Sequence, residues 1–418
     1  VASLVFQYIQ NNVESSKWIL GGMLGRALFP YVILICLAAI ISAALNLLGK
    51  FGVPALTAVW LNSSMLLFLG IGGWLWGENE LEKMIFLCVG TMVGGILQMI
   101  APALALMREG WRPRLDFGVS ERLKTVVWLT VPGIFGASVH QINVMVTRGL
   151  AFDFSDAGAT LIYLANRLVE LPVGVFAIAI STVVFPSLSK FAAKEDRDSF
   201  QKTYADGIVL GMMMAVPAMV GLMVLAKEII EMLFQHGVFT WADTRDLIPV
   251  VTVYALGIPA LSFVSIETRA FFSLKDTKTP VKIAAAALIV NLVFSLWLRE
   301  LWGVVGLAAA SNVALLVQGV ALHLALKKKR YATSLGGAFF SVGKMVLAAV
   351  AMGAVIWGGT LVLGERVVDA PAMIVVGLLI PLGSAVYFSV LKAMRVDQLD
   401  EALLALSRRK RHEETNES

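Results

Sequence analysis

The stretch YLANRLVELPVGVFAIAISTVVFPSLSK, Tyr163 to Lys190, decides how the chain is read. It has the length and apolarity of a membrane-spanning helix, yet Arg167 and Glu170 are set into it, and Pro172 and Gly174 follow within about a turn. Arg167 and Glu170 are three residues apart, so they are neighbours on one helical face and can partly neutralise each other. Asn166 lies beside Arg167 and shares a face with Glu170. A charge at the centre of a spanning helix costs about 2.5–3.5 kcal/mol on insertion scales, which reserves such positions for paired or functional groups. Two readings stay open. The pair is a buried salt bridge that fixes helix packing, or Arg167 faces a water-filled cavity and binds an anionic group while Glu170 holds its side chain. An arginine fork suits a phosphate because it can grip two oxygens at once. Pro172 deletes a backbone hydrogen bond and Gly174 permits bending or close approach, so the two are candidate hinge residues.

The surrounding chain has the same character. Its 418 residues are 58% hydrophobic and only 15% charged, with a mean hydropathy of +0.80. Apolar runs recur at spanning length along almost the whole chain, which predicts an all-α polytopic membrane protein and excludes a β-barrel of alternating strands. About eleven spans are expected, near 28–48, 54–76, 84–107, 123–148, 160–189, 205–226, 247–273, 281–299, 303–326, 339–363 and 371–392. The loops between them alternate between acidic and basic. Glu78, Glu80 and Glu82 fill one, the arginine-rich MREGWRPRLDFGVSERLK (107–124) the next, and KKKR at 327–330 and SRRKRH at 407–412 are basic again. By the positive-inside rule every second loop and the C-terminus are cytoplasmic. The net charge of +5 is then a topology signal, and no nucleic-acid partner is expected. The chain begins at Val1 without a methionine and reads as a fragment. Loop parity places its start outside the cytoplasm, so an odd number of helices is expected upstream if the intact protein begins in the cytoplasm.

Phe29–Pro54 echoes Ile258–Pro280: each reads as a helix opening on an X-Pro step and closing on a short basic turn, with an asparagine, Asn62 or Asn291, in the helix that follows. This suggests two homologous lobes with a site between them, a common plan in secondary transporters. The expected organisation is 1–107 as the rest of an N-terminal lobe, with an extracytoplasmic loop and three helices. A linker at 108–122, a six-helix lobe at 123–327, two further helices within 328–392 and a cytoplasmic tail at 393–418 follow.

Other polar groups sort by position. His140, Asn143 and Thr147 form a stripe at i, i+3 and i+7, suited either to cavity lining or to interhelical hydrogen bonds. Arg148 is read as snorkelling at the outer interface, Glu267 and Arg269 as interfacial near a cytoplasmic end, and Lys344 likewise. Met212–Met214 are read as lipid-facing or packing residues and not as a binding box. Cys36 and Cys88 are expected to be small buried hydrophobes, and the four histidines are too scattered for a metal site. No nucleotide-binding or hydrolase motif occurs, and no cofactor or enzymatic activity is expected.

The segments YLANRLVELPVGVFAIAISTVVFPSLSK, FPYVILICLAAIISAALNLLGKFGVPALTAVWLN (29–62), FQHGVFT (234–240) and RAFFSLKDTKTPVKIA (269–284), in that order, resemble the MurJ/MviN lipid II flippase family of the MOP exporter superfamily. The resemblance covers essentially the whole chain. It implies a fourteen-helix, two-lobe bundle in the bacterial inner membrane, of which this chain holds the last eleven helices. It also implies the activity: moving undecaprenyl-diphosphate-linked GlcNAc–MurNAc-pentapeptide (lipid II) to the outer leaflet by alternating access, for cell wall synthesis. A cationic cavity would take the head group, and a groove formed with the last two helices the lipid tail. Membrane lipids and the cell wall synthesis machinery are the other implied partners. Arg167 and Glu170 match the family's functional arginine and glutamate in NRLxELPxG. A sodium site known in some members maps to Thr147, Asn291, Ser295 and Ser311. Where those members offer aspartates this chain has Thr147 and Ser295, which leaves little charge for a hard cation. The alternatives are another exporter of that superfamily, for polysaccharide-lipids or drugs, a membrane enzyme, or a scaffold. The enzyme would need paired acidic or histidine ligands that the sequence does not show, and a central charge pair argues against the scaffold.

Overall fold

Backbone N–H and C=O groups in hydrocarbon must be satisfied within the segment, so uninterrupted apolar runs become helices. A computed structural model describes residues 17–112, 121–155, 157–332, 336–366 and 371–395. Their regular structure is helical throughout: α1 (Lys17–Leu47), α2 (Thr57–Leu67), α3 (Glu80–Arg108), α4 (Glu121–Phe154), α5 (Gly158–Ala193), α6 (Arg197–Val224), α7 (Ala226–Phe234), α8 (Trp241–Leu256), α9 (Ile258–Ser273), α10 (Lys278–Lys328), α11 (Gly336–Arg366) and α12 (Ala372–Ala393), with short helical turns flanking α2. Eight runs among the described residues are long and apolar enough to cross a membrane. The other expected spans fall on α4, on α5 and on the second arm of α10. Large apolar side chains such as Phe29, Leu66, Trp297 and Phe340 point outward, as lipid-facing surfaces require.

The chain divides into two compact units, residues 1–119 and 120–418. In the first, α3 packs against both α1 and α2. A side chain at Gly94 would come within 3.0 Å of the Leu61 backbone, so glycine there lets α2 approach closely. Polar links replace the hydrophobic drive that lipid removes. Buried Gln98 donates to the Thr57 carbonyl (3.0 Å) and accepts from Tyr31 (3.2 Å), and Ser64 donates to the Gly90 carbonyl (2.7 Å). Helix α1 begins at Lys17, earlier than the expected 28, and carries Pro30 inside it. Pro259 instead lies in the first turn of α9. The two X-Pro steps of the internal echo are therefore built differently.

The second unit is organised around α6, which packs against α5, α8, α9 and α11. Phe200, Tyr204, Ile208 and Ala215 enter one core, while Val209, Met213 and Val216 enter a second shared with α11 and α12. The Tyr387 hydroxyl of α12 donates to the Met213 carbonyl at 2.9 Å. Lys344 donates to the Met394 carbonyl at 2.9 Å, a cation at the C-terminal end of α12.

Three departures from the expected spans have local causes. The span expected at 247–273 starts at Trp241 and is interrupted at Gly257, just before Pro259, which has no N–H to give. The Gly257 N–H turns to the Tyr254 carbonyl (3.0 Å), and the Asn312 amide donates instead to the Val253 carbonyl at 2.5 Å. The acidic segment after α6, expected as loop, contains the short helix α7, whose Ala226 and Ile230 are buried. The spans expected at 281–299 and 303–326 join as α10, broken at Gly303 (φ 58°, ψ −133°), a conformation glycine adopts without strain.

The two ends of α10 meet, so it folds back as a hairpin. Asp276 accepts the Thr279 N–H (3.0 Å) and hydroxyl (2.6 Å) at the start of α10, and the Lys329 ammonium from its far end (2.5 Å). This gives the KDTKTP motif a structural job. Burial pushes the Asp276 carboxyl up, but the hydrogen bonds from Lys329 and Thr279 outweigh it and hold it at about 2, below its ordinary 3.8. The lowered value means the contact stabilises fully above pH ~4 and fades as pH falls toward 2. Asp276→Asn is expected to cost on the order of 1 kcal/mol at neutral pH, discounted because Lys329 is half exposed. Denaturant titration in detergent should show the gap between variant and wild type closing below pH ~4.

Candidate functional site

The site is built on one helix. In α5, Tyr163, Arg167 and Glu170 recur at four and three residues and lie on one face. Arg167 Nη1 is 2.8 Å from Glu170 Oε2, and both side chains are largely exposed, at 58% and 60%. The pair therefore sits outside the packed core that the salt-bridge reading supposed. The Arg167 guanidinium also lies 5.1 Å over the Tyr163 ring, a cation–π contact that fixes its stem while leaving donors open.

Arg148, expected from sequence at the outer interface and given no role there, belongs to the same group. Its guanidinium lies 5.1 Å over the same Tyr163 ring. Its Nε is buried without a hydrogen-bond partner among the described residues. Two cations thus share one aromatic ring between α4 and α5. Tyr163 stands one helical turn before Arg167, a spacing the sequence displays; the approach of Arg148 depends on how α4 packs on α5, which the sequence does not.

Behind this face lies a neutral network. Asn166 donates to the Ile162 carbonyl of its own helix at 3.0 Å. Asn166 and Ser311 also interact with the Tyr254 hydroxyl. Asn143 and Thr147 are joined to α10: the Asn291 amide donates to Asn143 and to Thr147 (3.3 Å), and Ser295 donates to the Asn291 carbonyl (3.1 Å). The structure thus brings together Thr147, Asn291 and Ser295, all buried. Ser311 instead donates to the Leu307 carbonyl at 3.1 Å. The donors and acceptors are spent on one another, and no carboxylate is among them. The His140 side chain lies outside the described residues.

Around the helix from the charged face, Leu168, Leu171 and Pro172 line an apolar cavity of about 390 Å³. Met214, Pro217 and Gly221 of α6, Met352 and Ile356 of α11, and Ile380, Ser384, Tyr387 and Phe388 of α12 complete its wall. Pro172, expected as a hinge, is also a wall residue. A side chain at Gly174 would meet nothing within 4 Å, so packing does not demand glycine there.

The fold and site define a multi-pass α-helical membrane protein with an accessible charged pair set beside an apolar cleft. Comparison with known proteins agrees. The family described as "Lipid II flippase MurJ" matches residues 1–377, and the chain belongs to that family. It is similar to a "Probable lipid II flippase MurJ" of Bdellovibrio bacteriovorus, 32% identical over 76% of this chain and 60% of that protein. A relative of the same description from Vibrio cholerae is 31% identical over 85% of this chain and 67% of its own length. The chain thus spans about 60–67% of the length of these relatives. Among solved structures, "Lipid II flippase MurJ, inward closed conformation" shares the fold, with a TM-score of 0.74 and 24% identity over 91% of this chain and 75% of that one.

Gly174→Ala removes a helix-weakening residue from an open position. It is expected to accumulate normally and to unfold at equal or higher denaturant concentration than wild type, by up to about 1 kcal/mol.

Proposed function

We propose that this chain carries the lipid II translocation activity of its family, moving the diphosphate-linked precursor across the bacterial inner membrane by alternating access. The observation that carries this reading is the two-faced α5. The Arg167–Glu170 pair stands open on one face, and an apolar cleft begins at Leu168 and Leu171 on the adjoining one. An amphiphile with an anionic head and a hydrocarbon tail fits both at once.

In this reading Arg167 grips the diphosphate with its free donors. Glu170 and Tyr163 hold the guanidinium in place, and Arg148 adds positive charge behind it. Asn166 supports the helix turn that carries Arg167. Asn143, with Thr147, Asn291 and Ser295, ties α4 to α10. His140 completes the polar stripe on α4. The walls contributed by α11 and α12 take part of the tail. Pro172 and Gly174 allow α5 to bend as the head group is exposed to one side and then the other.

The chain would supply eleven of fourteen spanning helices in a two-lobe bundle. These comprise three helices within 1–107, six within 123–327 after a linker at 108–122, and two more within 328–392. The basic ends and the tail at 393–418 would face the cytoplasm. No cofactor enters the reading, and cell wall enzymes at the outer leaflet are the fitting consumers of the product.

The test uses the full-length gene in cells depleted of their own flippase, with an assay of which leaflet holds lipid II. Arg167→Ala is expected to cut translocation by about 10- to 100-fold, the scale of a charge-assisted contact, while the protein still accumulates. Arg167→Lys should keep part of the activity, since the charge remains but the fork is lost. Glu170→Gln should do less harm than Arg167→Ala. Normal translocation by Arg167→Ala would overturn the reading.

A further inference from the structure

Glu267, expected at an interface, is fully buried. It lies on α9 six residues before Ser273, or about 9 Å from the C-terminal end of that helix. Its Oε1 accepts the Tyr204 hydroxyl of α6 at 2.6 Å. The His323 Nδ1 of α10 lies 3.3 Å from the same Oε1 and 2.9 Å from the Tyr204 oxygen. The second carboxyl oxygen, Oε2, is buried with no hydrogen-bond partner among the described residues. The Phe263 and Tyr204 rings pack beside the imidazole, at 6.1 and 6.2 Å between centroids. Four helices pack against α9: α6 brings Tyr204, α10 brings His323, and among the described residues α5 and α8 bring no charged or titratable group to bear on the carboxyl. Arg269, on α9 itself, does not act on it either.

A carboxylate so placed, half unserved and without a lysine or arginine, is strongly disfavoured. The cluster becomes neutral with one proton, carried either by Glu267 or by His323 as imidazolium. With none it is a buried anion; with two it carries a net positive charge. Tyr204 touches both groups, and His323, 16% exposed, is the most accessible of the three.

We propose that Glu267, Tyr204 and His323 form a proton-binding site that holds one exchangeable proton and couples its occupancy to the packing of α6, α9 and α10. Parting these helices breaks the neutral pair and releases the proton; closing them takes it up. The assignment is independent of the transported lipid and of Arg167.

The experiment is denaturant unfolding of the detergent-purified chain between pH 5 and 9. Above the ordinary range of histidine, about 6.5, the unfolded chain has given up a proton that the folded cluster keeps, so wild-type stability falls as pH rises. The unfolding equilibrium should shift by up to tenfold per pH unit relative to Glu267→Gln, which has no charge to neutralise and still accepts from Tyr204. His323→Gln leaves Glu267 to hold the proton alone, so its decline should begin nearer pH 5. If Glu267→Gln does not accumulate, the displaced onset in His323→Gln decides the matter, and an onset equal to wild type overturns the proposal. An identical pH slope in wild type and Glu267→Gln also overturns it. So does stabilisation by sodium over potassium at fixed pH that Glu267→Gln abolishes, since that would make Oε2 a cation ligand.

Discussion

A guanidinium survives within a membrane-spanning helix only if something offsets its lost hydration. In this protein the offset comes from Glu170 at 2.8 Å and the Tyr163 ring at 5.1 Å, both on the same helix. The arginine is therefore oriented by its own helix, with its remaining donors open. That constraint sets the rest of the site. The adjoining face of the helix is free to be apolar, and Leu168 and Leu171 become walls of a cleft shared with α6, α11 and α12.

The polar groups of the second unit divide by kind. Neutral amides and hydroxyls such as Asn291, Ser295 and Thr147 satisfy each other in dry seams and act as interhelical ties. Of the charged groups, Arg167 and Glu170 stand open, while Glu267 gathers in a small buried cluster with His323 and Tyr204. Lipid cannot drive helices together by the hydrophobic effect, so close packing and such ties carry the cohesion.

Much of this was legible in the sequence. Apolar run length located the helices, and the three-residue spacing of Arg167 and Glu170 predicted their contact. What escaped depended on tertiary packing. The position of Glu267 near a helix end suggested an interface, because its partners come from α6 and α10, distant in the chain. Arg148 looked peripheral for the same reason: the ring it covers belongs to the next helix. The charges of Glu228 and Glu231 masked α7, whose short apolar side is evident only once Ala226 and Ile230 are seen buried. The interruption near Gly257 was signalled by Pro259, but the donor that repairs it, Asn312, was not.

The Asp276–Lys329 contact closes the open end of the α10 hairpin, while Gly303 forms its bend. A hairpin fastened at both extremities behaves mechanically as one rigid strut, whose arms cannot slide past each other without first breaking an ionic latch.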